Sequence, residues 1–135
     1  MFFPDLGTVC QVGSHPNLRA VGWLSKKQPY TRGEVNTGLQ AKLAEHVKTA
    51  WQPIMAAGLH ECELCELYRH SHNVWVPSKT LVYVAPAMIV HYIGEHAYCP
   101  PKEFLEAVDA CPPQTGDEFL RQVEQLLGKS YGLSF

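Results

Sequence analysis

The chain has 135 residues and a formal net charge of -2 at pH 7, a length that suits one domain with its own core. Hydrophobic residues make up 46% and charged residues 18% of the chain, which excludes an intrinsically disordered protein. The negative net charge provides no field that would attract nucleic acid or an anionic membrane. No run of about 18 apolar residues exists, so no membrane-spanning helix is expected.

The cysteines and the N-terminus together indicate a compartment. The chain has five cysteines, and its first residues, Met-Phe-Phe-Pro-Asp, lack the basic flank and apolar run of a signal peptide. An odd number of cysteines without an export signal argues against a disulfide framework. We therefore expect a cytoplasmic protein whose thiols are reduced.

Residues 1–19 are rich in Gly, Pro, Ser and Asn and predict an irregular N-terminal arm, followed by a single domain over residues 20–135. Residues 20–24 are short and apolar and predict a strand, whereas residues 26–33 predict a loop. A first helix is expected to begin near Thr37, because Thr37 and Gln40 have capping-box spacing. Apolar side chains then recur on one helical face, namely Leu39, Leu43, Val47 and Ala50.

The second half of the chain predicts a hairpin and three more helices. Residues 74–76 and 81–84 are β-branched and aromatic and suit the two strands of the hairpin. Pro86 is placed to open a second helix that runs to about residue 95. A third helix follows Pro101, with Phe104, Ala107 and Val108 facing inward.

The fourth helix is expected over residues 117–127. Thr115 and Glu118 have capping-box spacing, and Gly128 fits a C-terminal stop. The predicted fold class is therefore α+β: a single small domain in which a short sheet or hairpin packs against about four helices.

A Cys-x-x-Cys pair at Cys62 and Cys65 is the strongest chemical signal in the sequence. Two intervening residues allow both sulfurs to turn toward one point, and zinc prefers thiolates in tetrahedral geometry. After 25 residues follow His91 and His96, separated by four residues. The two short gaps match common zinc sites, and the long central gap can contain a hairpin and a helix. The sequence therefore predicts one Zn²⁺ that staples the domain.

The fourth ligand is open at this point. Positions five apart on a regular helix lie about 140° from each other, so His91 and His96 share a face poorly. An unwound last turn would bring His96 inward. His60, two residues before Cys62, is the rival, and it ranks after His91 and His96 as a ligand.

A redox role for the two cysteines is the competing interpretation. Acidic residues surround the pair, and negative charge raises thiol pKa values and so disfavours a reactive thiolate. The surrounding sequence also lacks the thioredoxin-like order of elements, in which such a pair begins a helix beside a strand. His70 and His72 form a His-x-His pair in a polar segment and are interpreted as exposed loop residues.

Several of these residues resemble a family of small, uncharacterised bacterial proteins. The resemblance rests on Gly58-x-His60-x-Cys62-x-x-Cys65, on Tyr83-Val84-Ala85-Pro86, and on His91-Tyr92-Ile93 with His96 and Tyr98-x-Pro100-Pro101-x-x-Phe104. It covers roughly residues 20–112. It implies a shared, metal-centred fold and names no activity.

Three functional hypotheses follow. A closed Cys₂His₂ site would be structural, and the domain would then act by binding another protein, for example as an immunity protein that neutralises a bacterial toxin. The alternative is a zinc-dependent hydrolase or deaminase-like enzyme that uses Glu95 or Glu61 as its base. The spacing misses both the inverted zinc-protease and the deaminase patterns. Nucleic-acid binding is disfavoured because no Lys/Arg-rich helix is present. We expect no catalytic residue, and the sequence does not define an oligomeric state.

Overall fold

The computed structural model describes residues 1–53 and 60–129. Within these residues the chain forms four helices, α1 (Thr37–Lys48), α2 (Ile89–His96), α3 (Lys102–Ala110) and α4 (Asp117–Leu127). The same residues form seven short strands: β1 (Val9–Cys10), β2 (Gly13–Ser14), β3 (Leu18–Ala20), β4 (His60–Glu61), β5 (Arg69–His70), β6 (Asn73–Pro77) and β7 (Val82–Pro86). The α+β fold class predicted from the sequence is confirmed.

Strand β7 is the centre of a three-stranded mixed sheet. It pairs in parallel with β3, where Leu18 lies opposite Val82, and antiparallel with β6, where Trp75 lies opposite Val84. Every residue of β6 and β7 is buried, as expected for strands covered on both faces. The predicted hairpin is confirmed. Two further antiparallel pairs, β1 with β2 and β4 with β5, lie outside this sheet.

The alternation of side chains along the sheet divides the core into two parts. On one face, Val74, Val76, Tyr83 and Ala85 pack with the buried sides of α1, α2 and α3. On the other face, buried strand residues pack with α4 and with the β1–β2 hairpin. The strands contribute Trp75, Val82 and Val84, α4 contributes Phe119, Val123 and Leu127, and the hairpin contributes Cys10 and Val12. The sheet is therefore covered by helices on both sides.

The helix caps differ from the predicted capping boxes. Asn36, not Thr37, caps α1, because its Oδ1 accepts the backbone N–H groups of Gly38 at 2.8 Å and Leu39 at 3.2 Å. The Gln40 side chain instead donates to the carbonyl of Val35. Helix α4 begins after Gly116 without a side-chain cap. The predicted stop at Gly128 is confirmed, with φ at +88°.

Three element boundaries also need correction. Residues 1–19, expected to be irregular, include β1 and β2 and the start of β3. The strand predicted over residues 20–24 is observed as β3 (Leu18–Ala20). The chain leaves the extended conformation at Gly22, which has φ of +80°. Pro86 ends β7 and does not open α2. The next N–H, from Ala87, donates to the carbonyl of His72 and continues the sheet pairing.

No helix within residues 1–53 and 60–129 is long and apolar enough to cross a membrane.

Candidate metal centre

The two cysteines of the Cys-x-x-Cys pair lie on the turn that joins β4 to β5. The Cys62 N–H donates to the Tyr68 carbonyl at 2.8 Å, and the Glu66 N–H donates to the Cys62 carbonyl at 2.7 Å. Glu66 has φ of +60°, a left-handed conformation that reverses the chain directly after Cys65. These bonds close a tight knuckle that brings both sulfurs to the same side of the hairpin.

The two histidines lie at the start and at the end of α2, whose last turn is wider than a regular α-turn. The Ala97 N–H donates to the carbonyl of Tyr92, five residues back, and Ala97 adopts a left-handed φ of 54°. A five-residue hydrogen bond is the spacing of a π-turn, so positions five apart come closer to one face. His91 and His96 accordingly meet, with ring centroids 4.9 Å apart.

The turn and the helix end place four ligand atoms together. The Sγ atoms of Cys62 and Cys65 and the imidazole nitrogens of His91 and His96 all lie within 4.8 Å of one another. Nε2 of His96 lies 3.5 Å from Sγ of Cys62, and Nε2 of His91 lies 3.4 Å from Sγ of Cys65. The two Nε2 atoms are 3.2 Å apart. The group could therefore hold a metal ion.

These separations match the edges of a tetrahedron around one ion. Bonds of about 2.3 Å to sulfur and about 2.05 Å to nitrogen give edges of about 3.6 Å between S and N and about 3.3 Å between the nitrogens. The observed values are 3.5 and 3.4 Å for the S–N pairs and 3.2 Å for the N–N pair. Three of the six edges of the four-donor group therefore fit a tetrahedral ion, and the other donor atoms lie within 4.8 Å of one another.

Hydrogen bonding alone accounts poorly for this convergence. The Nε2 atom of a neutral imidazole is either a donor or an acceptor, and a thiol is a weak partner in both roles. Here each Nε2 faces a thiol and the other Nε2 at once. A cation at the centre would accept a lone pair from all four atoms.

The surroundings of Cys62 and His91 shift the pKa of each side chain in the direction that favours its neutral form. Burial raises the pKa of the Cys62 thiol, and the neighbouring Cys65 raises it further. Burial and the adjacent His96 ring lower the pKa of His91. Neutral imidazole is the form that binds a metal, whereas the thiols must release their protons on binding. The raised pKa of Cys62 also opposes the redox interpretation, which requires a reactive thiolate.

Two tyrosines that the sequence did not single out support the histidines. The Tyr68 ring stacks on the His91 ring at 4.3 Å between centroids with an interplanar angle of 5°. The Tyr30 hydroxyl donates to the His96 carbonyl at 2.9 Å. Tyr68 follows Cys65 by three residues, so the sequence could have indicated that Tyr68 lies near the metal site. Tyr30 comes from a distant loop, and nothing in the sequence pointed to it.

The structure places the remaining histidine candidates elsewhere. His60 lies on β4, where its Nε2 is 2.9 Å from Oε1 of Gln11 and its ring meets the edge of Trp23. The rings of His70 and His72 contact each other at 4.4 Å. None of these three belongs to the four-residue group that converges within the described residues. Gly58, part of the predicted motif, lies outside the described residues.

Neither of the two carboxylates considered for catalysis belongs to the four-donor group that converges within the described residues. Glu61 lies on β4 and pairs with Arg69 across the hairpin at 4.0 Å. Glu95 is exposed on α2, one residue before His96. Cys62 is fully buried, whereas Cys65, His91 and His96 are half-buried. Solvent therefore reaches part of three of the four donor residues and does not reach Cys62.

Comparison of the chain with curated proteins and with solved structures gave no match. A family model described as Domain of unknown function (DUF7919) matches residues 1–109. The matched region contains the central sheet and all four converging residues, and it begins at residue 1 rather than at residue 20 as the sequence resemblance implied. The chain therefore belongs to the DUF7919 family.

Proposed function

We propose that this chain is a zinc-stapled binding domain, in which the metal is structural and a surface of the fold contacts another protein. The observation that carries the proposal is the convergence of Cys62, Cys65, His91 and His96 with the edge lengths of a tetrahedron. A bound zinc would supply a cross-link between these side chains and no reaction chemistry.

Zinc is the ion that suits this donor set. Two thiolates and two imidazoles in tetrahedral geometry select zinc among the common divalent ions. Two thiolate charges also neutralise the ion, which lowers the cost of placing it against the fully buried Cys62. Thiolate ligands need a reducing compartment, so the proposal places the protein in the cytoplasm.

The arrangement favours a structural role over a catalytic one. Four protein donors complete a tetrahedron and leave no position for water or substrate. The ion would join the β4–β5 turn to α2, two elements that the intervening β6–β7 hairpin separates in sequence. Two thiolates make zinc a weaker Lewis acid, and the ion pair of Glu61 with Arg69 engages one of the two candidate bases. The zinc-dependent hydrolase or deaminase-like alternative therefore gains no support from the geometry.

The exposed apolar side chains favour a protein partner. Leu67, next to Tyr68 on the turn that carries the cysteines, is 89% exposed. Further large apolar side chains are exposed in the N-terminal segment, namely Met1, Phe2, Leu6 and Val9. Large exposed apolar patches are typical of interaction sites, and we propose that these side chains contribute to one. Neutralisation of a bacterial toxin, as an immunity protein, is a narrower version of this proposal, and a stable complex with a toxic enzyme would support it.

The test is metal analysis followed by coordination analysis. Protein purified without added metal and without chelator should contain about one zinc per chain, because a closed site of this kind binds zinc tightly. X-ray absorption at the zinc edge should give two sulfur and two nitrogen neighbours. Cys65→Ser is the matched variant and should reduce both the zinc content and the sulfur count.

Two outcomes would contradict the proposal. Zinc well below half an equivalent in protein never exposed to chelator would show that the chain does not bind zinc as proposed. Three protein ligands with an ordered water at about 2.0–2.2 Å would indicate a catalytic site instead.

A further inference from the structure

Two neighbouring surface hollows share Pro29 and Tyr30 as lining residues, and the first of them borders the metal centre. The first has a volume of about 490 Å³, and one of its walls is His96 of the metal group. The second has a volume of about 460 Å³ and is lined partly by residues of the N-terminal segment. Each is large enough to accept a side chain, and the two have Pro29 and Tyr30 in common as lining residues.

The first hollow is cationic. Its rim carries Lys26, Lys27 and Arg32, although the whole chain has a net charge of -2. Lys26 lies 3.9 Å from a Glu66 carboxylate oxygen. In the part of the chain that the structure describes, Lys27 and Arg32 have no ion-pair partner. Two positive charges therefore remain available to a ligand.

The second hollow is mainly apolar. Phe2, Phe3, Pro4 and Leu24 line it. Asp5 also lies in its wall, but both of its oxygens are engaged. Oδ1 accepts the Gly22 N–H at 2.9 Å, and Oδ2 accepts the Tyr98 hydroxyl at 2.8 Å. The surface that this hollow offers to a ligand is accordingly hydrophobic.

We propose that the paired hollows bind an acidic peptide segment of a protein partner, in which a bulky apolar side chain stands next to carboxylates. The apolar side chain would enter the hollow lined by Phe2 and Phe3, and the carboxylates would meet Lys27 and Arg32. A free phosphate or a nucleic acid matches the cations but leaves the apolar hollow unused, so the pairing favours a peptide. This inference rests on the proposed function as a protein-binding domain.

Tyr30 connects this surface to the metal centre. Its hydroxyl donates to the His96 carbonyl, and the Arg32 guanidinium lies 4.7 Å above its ring, within the range of a cation–π contact. The side chain that separates the hollows is thus held by the end of α2. Removal of zinc would release the histidine end of α2 and weaken the binding surface.

The test is fluorescence anisotropy with three labelled peptides and the zinc-loaded full chain. The probe is acetyl-Glu-Asp-Phe-Glu-Glu amide, and its controls replace Phe by Ala or every acid by Lys. The probe should bind, and both controls should bind at least tenfold more weakly. The double variant Lys27→Glu with Arg32→Glu should weaken probe binding at least tenfold. Lys79→Glu reverses the charge of an exposed side chain at a separate hollow and should leave probe binding unchanged.

Zinc content and circular dichroism of each variant establish that it is folded. No binding of the probe to folded, zinc-loaded protein overturns the inference and leaves the zinc-stapled fold intact. The inference is also overturned if Lys79→Glu weakens probe binding as much as the double variant does. Displacement of the probe by inorganic phosphate, at an affinity similar to that of the probe, overturns it too. Either result indicates a general attraction of anions. Protein that folds without zinc defeats the proposed function alone. Circular dichroism then establishes its folding, and binding of the probe supports the inference, whereas no binding overturns it.

Discussion

The choice between His96 and His60 as the fourth ligand can be decided by one pair of substitutions. His96→Ala removes a nitrogen that lies 3.2 Å from Nε2 of His91 and 3.5 Å from Sγ of Cys62. His60→Ala removes a ring that contacts Gln11 and Trp23. Both histidines are half-buried, so the two variants differ chiefly in their effect on the metal.

The two variants should lose stability for different reasons. Changes next to metal ligands cost about 10–100-fold in affinity, so loss of a ligand should cost at least about 100-fold. With free zinc at about 1,000 times the dissociation constant, the ion stabilises the fold by about 4 kcal/mol, and a 100-fold weaker site retains about 1.4 kcal/mol. His60→Ala loses one hydrogen bond and one aromatic contact, which together are worth about 1–3 kcal/mol.

The melting temperature alone does not separate the variants, because both should melt lower than the original chain. The decisive measurement is the change in melting temperature on addition of EDTA, together with zinc content by elemental analysis. EDTA should lower the melting temperature of the original chain and of His60→Ala. His96→Ala should contain little zinc and should respond little to EDTA.

The reverse pattern would refute this assignment. If His96→Ala retained a full equivalent of zinc and its EDTA response while His60→Ala lost both, His60 would be the ligand. The structure would then have placed the wrong histidine beside the cysteines.

Three further predictions follow from the structure. Cys65→Ser should abolish zinc binding while His70→Ala retains a full equivalent, and zinc retained by Cys65→Ser in elemental analysis would disprove the ligand set. Burial raises the pKa of the Cys10 thiol from 9.0 to about 11, so between these pH values unfolding releases a proton and stability falls as pH rises. Urea titrations should show this fall, with a contribution from Cys10 of up to about 1.4 kcal/mol per pH unit. Cys10→Ala should show a smaller fall, and some fall should remain because burial also raises the pKa of Cys111 from 9.0 to about 12. Asn36→Ala should cost about 1 kcal/mol in urea unfolding, whereas Asn36→Asp, which preserves the capping oxygen, should cost little; equal losses would show that the cap is not the cause.

Local signals in the sequence predicted much of the secondary structure. The apolar period of residues 117–127 and the stop at Gly128 gave the fourth helix with its observed bounds. The β-branched runs around residues 78–80 gave the β6–β7 hairpin. These signals succeed because the periods of 3.6 and 2 residues are properties of the local backbone. The capping box predicted for α1 failed because Asn36, one residue earlier, caps the helix through the N–H groups of Gly38 and Leu39. The box predicted for α4 failed because that helix begins after Gly116 without a side-chain cap.

The metal group was predicted only in part. Two residues between Cys62 and Cys65 form a short loop, so the sequence alone indicated that their sulfurs face one point. The role of His96 depended on the shape of the last turn of α2, where the Ala97 N–H reaches back five residues. Neither propensity nor spacing specifies that wider turn, so the sequence alone left His60 as an alternative to His96.

The sequence by itself determined an α+β domain with a Cys-x-x-Cys knuckle, because composition, side-chain period and short loop spacing are local. Only the tertiary structure decided that helices cover both faces of the central sheet, with α4 on the face opposite α1, α2 and α3. It also brought Tyr30 against His96 and placed the cationic and apolar hollows side by side. Such contacts join residues far apart in the chain, and they form only when burial of the two apolar faces fixes the packing of all elements together.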